Sequence, residues 1–254
     1  MNDIIPNKAL AITDKISKSS KNLAIATRIH LGKSSQPPEQ SKLNRTVTSF
    51  ITFCSQLQSS TKSKLSVAIA VDSEEKIKGY DLSKAIEEAI DFGQQQQQQQ
   101  QQQDRIHIDI VKVSPWGNFI PALNALVSWA ANVTLEDTDS SSDSPLLLFV
   151  SAETHMTTSS VHSLCGHMDS STLVAGARLQ GHMHAHVHDN DQTTLGEKKR
   201  NDEYVKVELN GRTTPWNTAA VWNLRKLSLI GFPLVAEGII PNNDGRSVFF
   251  LFDF

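Results

Sequence analysis

The sequence predicts an α/β protein built on a mostly parallel, doubly wound sheet with flanking helices. Two observations carry that expectation. Short β-rich runs alternate with amphipathic helical patterns along the chain. The run Leu146–Val150 is also unbroken in its apolar character, as a strand covered on both faces is, and it stops at Ser151 and Glu153. Oxygen-bearing side chains at that point mark the carboxyl end of a strand, where open α/β sheets bind ligands.

The elements follow in order. Residues 1–21 are polar and rich in lysine and serine, and are expected to be a disordered leader. Asn22 to Thr27 is short and apolar and predicts the first strand. Pro37-Pro38 breaks structure. Leu43, Val47, Phe50, Ile51 and Cys54 then recur at helical spacing, predicting a helix over Ser41 to Leu57 with Ser41 or Asn44 as its cap. Leu65 to Val71 is a strand pattern ending at Asp72. Asp81 to Phe92 predicts a helix capped by Asp81, with Leu82, Ala85, Ile86, Ala89 and Ile90 on one face and Gly93 as its stop.

Gln94 to Gln103 is pure glutamine and is expected to be a disordered loop, because it has no apolar surface to bury. Ile106 to Val113 alternates strictly, which predicts a strand with one exposed face near the sheet edge. Ser114 to Asn118 is a turn, and Phe119 to Asn132 a helix with Pro121 in its first turn. A Ser/Asp loop, Glu136 to Ser144, leads to the strand at Leu146. Thr157 to Met168 predicts a helix, Thr172 to Ala177 a strand, Tyr204 to Leu209 a strand, and Thr214 to Ile230 a helix ended by Gly231. One domain is expected over 22–240, with disordered inserts at 94–103 and about 182–202 and an irregular tail over 241–254.

With 254 residues the chain is long enough for one α/β domain with a full core. A formal net charge of -3 and a pI near 6.3 give no electrostatic case for nucleic acid or an anionic membrane as partner. Cys54 and Cys165 stand in no metal spacing and are expected to be small buried hydrophobes. No run approaches the ~20 apolar residues of a membrane span. The segment Met1 to Lys21 lacks the apolar core of a signal peptide, so a cytoplasmic location is expected. Gly-x-Gly-x-x-Gly, P-loop and Gly-x-Ser-x-Gly motifs are all absent, which disfavours dinucleotide, ATP and serine-hydrolase chemistry of the usual kinds.

Four segments in order resemble the GT-A fold of nucleotide-sugar glycosyltransferases, most closely the family-2 type. They are Val67-Ala-Ile-Ala-Val-Asp72, Gly117-Asn-Phe-Ile-Pro-Ala-Leu-Asn124, Leu147-Leu-Phe-Val-Ser151-Ala-Glu153, and Asn210 through Asn217 to Gly231-Phe232. The resemblance spans about Asn22 to Glu237. It implies transfer of a sugar from a nucleotide-sugar donor to an acceptor of unspecified kind. By the same resemblance Asp72 and Asn124 would meet the nucleotide. Ser151, Glu153 and His155 would lie at a divalent cation, Mn²⁺ or Mg²⁺. Arg212, Trp216 and Asn217 would lie on the acceptor side.

The chain also departs from the family pattern. The metal motif is Ser-x-Glu where the family has Asp-x-Asp, so one of two charges is missing. Thr27-Arg28-Ile-His30 stands where many relatives have Pro-x-x-Asn, Asp72 is followed by Ser73, and the downstream acidic motif that usually supplies the base is absent. The alternative is therefore a catalytically degenerate domain of the same fold that binds or scaffolds. Each residue also has a structural reading: Asp72 as a turn cap, Asn124 as a buried amide tying helix to loop, Glu153 as the cap of the following helix, Trp222 as core. His182, His184, His186 and His188 alternate and are geometrically able to bind Zn²⁺, Cu²⁺ or Ni²⁺, but sit in a polar surface insert.

Overall fold

In a computed structural model, residues 23–31, 36–61, 65–74, 76–101, 105–117, 119–135, 144–176, 219–232, 239–241 and 247–249 are described. The strands are β1 (Leu23–Ile29), β2 (Ser66–Asp72), β3 (Ile108–Val113), β4 (Leu146–Val150), β5 (Val174–Gly176), β6 (Ala219–Asn223), β7 (Ile239–Pro241) and β8 (Ser247–Phe249). The helices are α1 (Gln40–Thr61), α2 (Leu82–Gln101), α3 (Ile120–Leu135), α4 (Thr158–Gly166) and α5 (Leu224–Ile230).

The first six strands form one sheet in the order β3-β2-β1-β4-β6-β5. The four strands from β3 to β4 are parallel, and β6 runs antiparallel to both β4 and β5. This is a Rossmann-like α/β arrangement. The alternating strand β3 lies at an edge, as its pattern predicts.

Helices cover both faces, and the strands alternate between them. Ile25, Val67, Ile69, Val71, Leu148 and Val150 pack with residues of α1 and α2 and with Val161 of α4. Ala24, Ala26, Ala68, Ala70, Leu147 and Phe149 pack against α3 and α5. Period-two alternation in β1, β2 and β4 thus serves two cores at once.

Four sequence expectations need correction. The polyglutamine run is helical as far as Gln101 rather than a loop, and Gly93 does not stop the helix. Glutamine is a good helix former, and α1 lies alongside to receive it. Gln94 Nε2 donates to the Ile106 carbonyl at 2.6 Å, and Ser55 Oγ of α1 donates to Gln97 Oε1 at 2.7 Å. Gly93 marks close helix contact: a Cβ there would meet Ile51 Cδ1 at 2.9 Å.

Second, α1 begins at Gln40, so neither Ser41 nor Asn44 caps it; Lys42 and Leu43 N–H groups bond instead to the Glu39 carbonyl. Third, the segment expected to be helical from Thr214 is strand over Ala219–Asn223. All five residues are buried between β4 and β5, and this pairing overrides a short run whose periodicity fits either state. The helix starts only after Asn223, whose Oδ1 accepts from Lys226 N at 3.2 Å. Fourth, the expected irregular tail contributes to a two-stranded antiparallel pairing of β7 with β8.

Asp81 caps α2 as expected, accepting from the Ser83 and Lys84 N–H groups at 2.9 and 3.2 Å. Trp222 is core. Cys54 and Cys165 are free, and burial pushes both thiols up, Cys165 to about 12. No helix among the described residues is long and apolar enough to cross a membrane.

Candidate functional site

The chain order fixes where a site belongs. From β1 it winds through α1, β2 and α2 to β3, stepping away on one side; α3 then carries it back across to β4, on the other side of β1. The strand order reverses between β1 and β4, and the crevice beyond their carboxyl ends is the switch point at which such sheets take ligands.

Alternation decides which side chains reach that crevice on the α3 side. Ala68 and Ala70 face α3, and two residues on comes Asp72; Leu147 and Phe149 do the same, and two residues on comes Ser151. In β1, Ala24 and Ala26 are followed by Arg28 and then His30. Arg28 pairs with Ala70 and Ala26 with Phe149, so continued register puts Ser151 level with Arg28 and Asp72 level with His30, two residues further along. Asp72 and Ser151 therefore flank β1 on one face, offset by two residues, their backbones roughly 12 Å apart by ordinary strand spacing and rise.

Asp72 is only 2% exposed. Its Oδ1 accepts from the Glu74 N–H at 3.1 Å, a turn contact. Its Oδ2 lies 2.5 Å from Lys76 Nζ, an ion pair of close approach but without hydrogen-bond alignment. Ser73 bonds away from the crevice, with both N–H and hydroxyl donating to the Val113 carbonyl. Glu74 Oε1 accepts from Trp116 N at 3.0 Å and so ties this loop to the turn before α3.

Arg28 and His30 lie against that turn. The Arg28 guanidinium stands over the Phe119 ring at 5.3 Å. The His30 ring is 5.6 Å from that of Trp116, tilted by 38°. His30 is held below the usual histidine range, first by burial, then by the Arg28 and Lys76 charges, with Asp72 opposing. The ring is nonetheless exposed to solvent along part of its surface. At the imidazole each of the two cations outweighs the one carboxylate.

Ser151 and Glu153 occupy a turn closed by Thr154 N donating to the Ser151 carbonyl at 2.9 Å. Ser151 is half-buried and Glu153 exposed. Glu153 does not cap α4; Thr157 does, its Oγ1 accepting from Ser160 N at 3.1 Å. His155 departs from the other two. It lines a cleft of about 710 Å³ between α1, α2 and the β4–α4 loop, shared with Arg45, Phe53, Phe92, Val150 and Ala152. That is the opposite face of the sheet.

Asn124 is engaged elsewhere. Its Nδ2 donates to the Phe232 carbonyl at 2.9 Å and its Oδ1 accepts from Phe232 N at 2.7 Å. Both ends of the amide thus tie α3 to the loop after α5. Arg212, Trp216 and Asn217, the strand expected over Tyr204 to Leu209, and the histidines from His182 to His188 lie outside the described residues.

The donors do not fit a dedicated divalent-cation site. Ser151 offers a neutral hydroxyl, Glu153 one exposed carboxylate, and His155 turns to the other face. Among the described residues no three His, Cys, Asp or Glu side chains converge as ligands.

Sequence reasoning passed over Arg28, His30, Lys76 and Trp116 as site residues. Arg28 and His30 carry the same signal as Ser151 and Glu153, polar side chains at alternate positions after an apolar strand run. Lys76 and Trp116 sit in loops, where pattern says nothing. No protein-family model matches the chain, and no curated protein or solved structure matches it.

Proposed function

We propose that this chain is a GT-A-like, nucleotide-sugar-binding glycosyltransferase domain, taking the donor's nucleoside diphosphate at the carboxyl ends of β1, β2 and β4. One observation carries the reading. Asp72 and Ser151, from motifs almost eighty residues apart, lie on the same face at the ends of the two strands that flank β1, on either side of the switch point. Asp72 meets the nucleoside through Oδ2, which pairs with Lys76 but accepts no hydrogen bond from it. The Mn²⁺ or Mg²⁺ implied by the resemblance would find Ser151 and Glu153 as its protein donors, a set that supplies a single negative charge. The acceptor lies toward Arg212, Trp216 and Asn217 in this reading.

A second reading is a binding or scaffold domain without transfer activity. Both Asp72 oxygens are already engaged, and the metal motif has one carboxylate where two are usual. Both readings share nucleotide binding and part at chemistry.

Calorimetry with UDP and GDP, with and without Mn²⁺, tests the shared step. Saturable binding of either nucleotide, weakened about tenfold or more by Asp72→Asn, supports the site. Failure of both nucleotides to bind sinks it. Release of sugar from a bound donor then separates transferase from scaffold.

A further inference from the structure

The mismatch between the donor set and a divalent cation points to a different way of holding the diphosphate. Resting on the nucleotide-binding reading above, we infer that Arg28 and Lys76 neutralise the diphosphate directly, so that nucleotide binds without a divalent cation.

The placement supports this. Arg28 is the α3-side residue at the carboxyl end of β1, the strand at the centre of the crevice, with Ala70 beside it on β2 and the Ser151 position beside it on β4. Its guanidinium stacks over Phe119 at 5.3 Å. A stack of that kind holds the group by its face, while its N–H donors lie in the plane. A guanidinium fork matches two phosphate oxygens at once.

Lys76 is the second cation. Its ammonium pairs with Asp72 at 2.5 Å, and its side chain is 29% exposed, so it borders solvent at the mouth of the buried carboxylate. An ammonium has three donors, enough to keep Asp72 and meet a phosphate. Asp72 then has two roles: it holds Lys76 at the rim and faces the nucleoside. His30 reports the local sign, since Arg28 and Lys76 each act on it more strongly than Asp72. Two fixed side-chain charges thereby stand where the family pattern uses a second carboxylate and a metal.

The test uses the intact wild-type chain, so it does not depend on a variant folding. UDP, GDP and inorganic pyrophosphate are titrated by calorimetry in EDTA and again in Mn²⁺. We expect UDP or GDP to bind in EDTA within about twofold of its Kd in Mn²⁺. Pyrophosphate is expected to bind in EDTA as well. Arg28→Gln should weaken each by about tenfold or more, with Arg28→Lys intermediate because it keeps the charge and loses the fork.

Nucleotide binding in Mn²⁺ that EDTA abolishes overturns this inference and leaves the nucleotide site standing. Pyrophosphate binding in EDTA that Arg28→Gln removes, without UDP or GDP binding, upholds the cationic phosphate site and sinks the nucleotide reading. No binding of any of the three ligands sinks both.

Discussion

The two faces of the sheet are built from different residues, and they end differently. Toward α1 and α2 the strands present Ile25, Val67, Ile69, Val71, Leu148 and Val150. Toward α3 they present Ala24, Ala26, Ala68 and Ala70, and the remaining space is taken by Trp116, Phe149 and Trp222. The branched face stays apolar past its rim, through Val150 to Ala152. The small-residue face turns polar at its rim, with Arg28, His30, Asp72 and Ser151. Small side chains let α3 and the turn before it settle close over the strand ends. Trp116 and Phe119 thereby reach His30 and Arg28. The packing choice in the middle of the sheet sets which rings meet the polar side chains at its rim.

Substitutions on the two faces should break this contrast in opposite ways, and they carry the largest effect. Ile69→Ala opens a cavity on the branched face and should cost about 2–5 kcal/mol. Ala68→Leu, one residue away, should cost about 1–3 kcal/mol by overpacking against α3. Urea denaturation reads both. An Ala68→Leu protein as stable as wild type would show that α3 does not need the small face.

Asn124→Ala sharpens the same contrast next. The two hydrogen bonds to the Phe232 backbone are lost, and a loss of about 1–3 kcal/mol is expected in the same denaturation experiment. UDP affinity should stay unchanged in the folded variant. A loss of affinity with unchanged stability would return Asn124 to the nucleotide.

These cases show what the sequence made legible. β1, β2 and β4 could be read because each is a short apolar run whose neighbours are also strands or helices with clean periodicity. The places where β2 and β4 end, at Asp72 and before Ser151, could be read because a buried strand ending in oxygen-bearing side chains is visible locally. Ala219 to Asn223 could not, because its strand state depends on β4 and β5, which lie more than forty residues away in the sequence. The glutamine run could not, because composition is silent about what lies beside it. Asn124 was visible as a polar residue on an apolar helix, but its partner, Phe232, comes 108 positions later. His155 was placed with Ser151 and Glu153 by proximity in sequence, and the turn between them sends it to the other face.

The glutamines offer a smaller and more local test. Gln94 is buried and donates to the Ile106 carbonyl, whereas Gln98 is exposed. Gln94→Ala should cost about 1–3 kcal/mol, and Gln98→Ala should lie within about 0.5 kcal/mol of wild type. Equal effects at both positions would mean that the tract does not pack on the branched side as a helix.

The smallest effect is the most informative about the polar rim. His30 is held below 6.5 by burial against Trp116 and by the Arg28 and Lys76 charges, with Asp72 opposing. Between its lowered folded value and 6.5 the unfolded chain binds the proton and the folded chain does not. Stability therefore rises with pH across that window, and falls as pH drops from 6.5 toward the folded value. His30→Gln should remove that slope and leave stability at pH 7 almost unchanged, since the exposed ring edge limits what is at stake. Ring-proton NMR titration should find His30 below 6.5 in the free protein. Pyrophosphate seated on Arg28 and Lys76 should move it upward, because an added anion favours the imidazolium. A His30 that titrates at or above 6.5 without ligand would mean that Asp72 governs this rim, and that the two cations are already neutralised before any phosphate arrives.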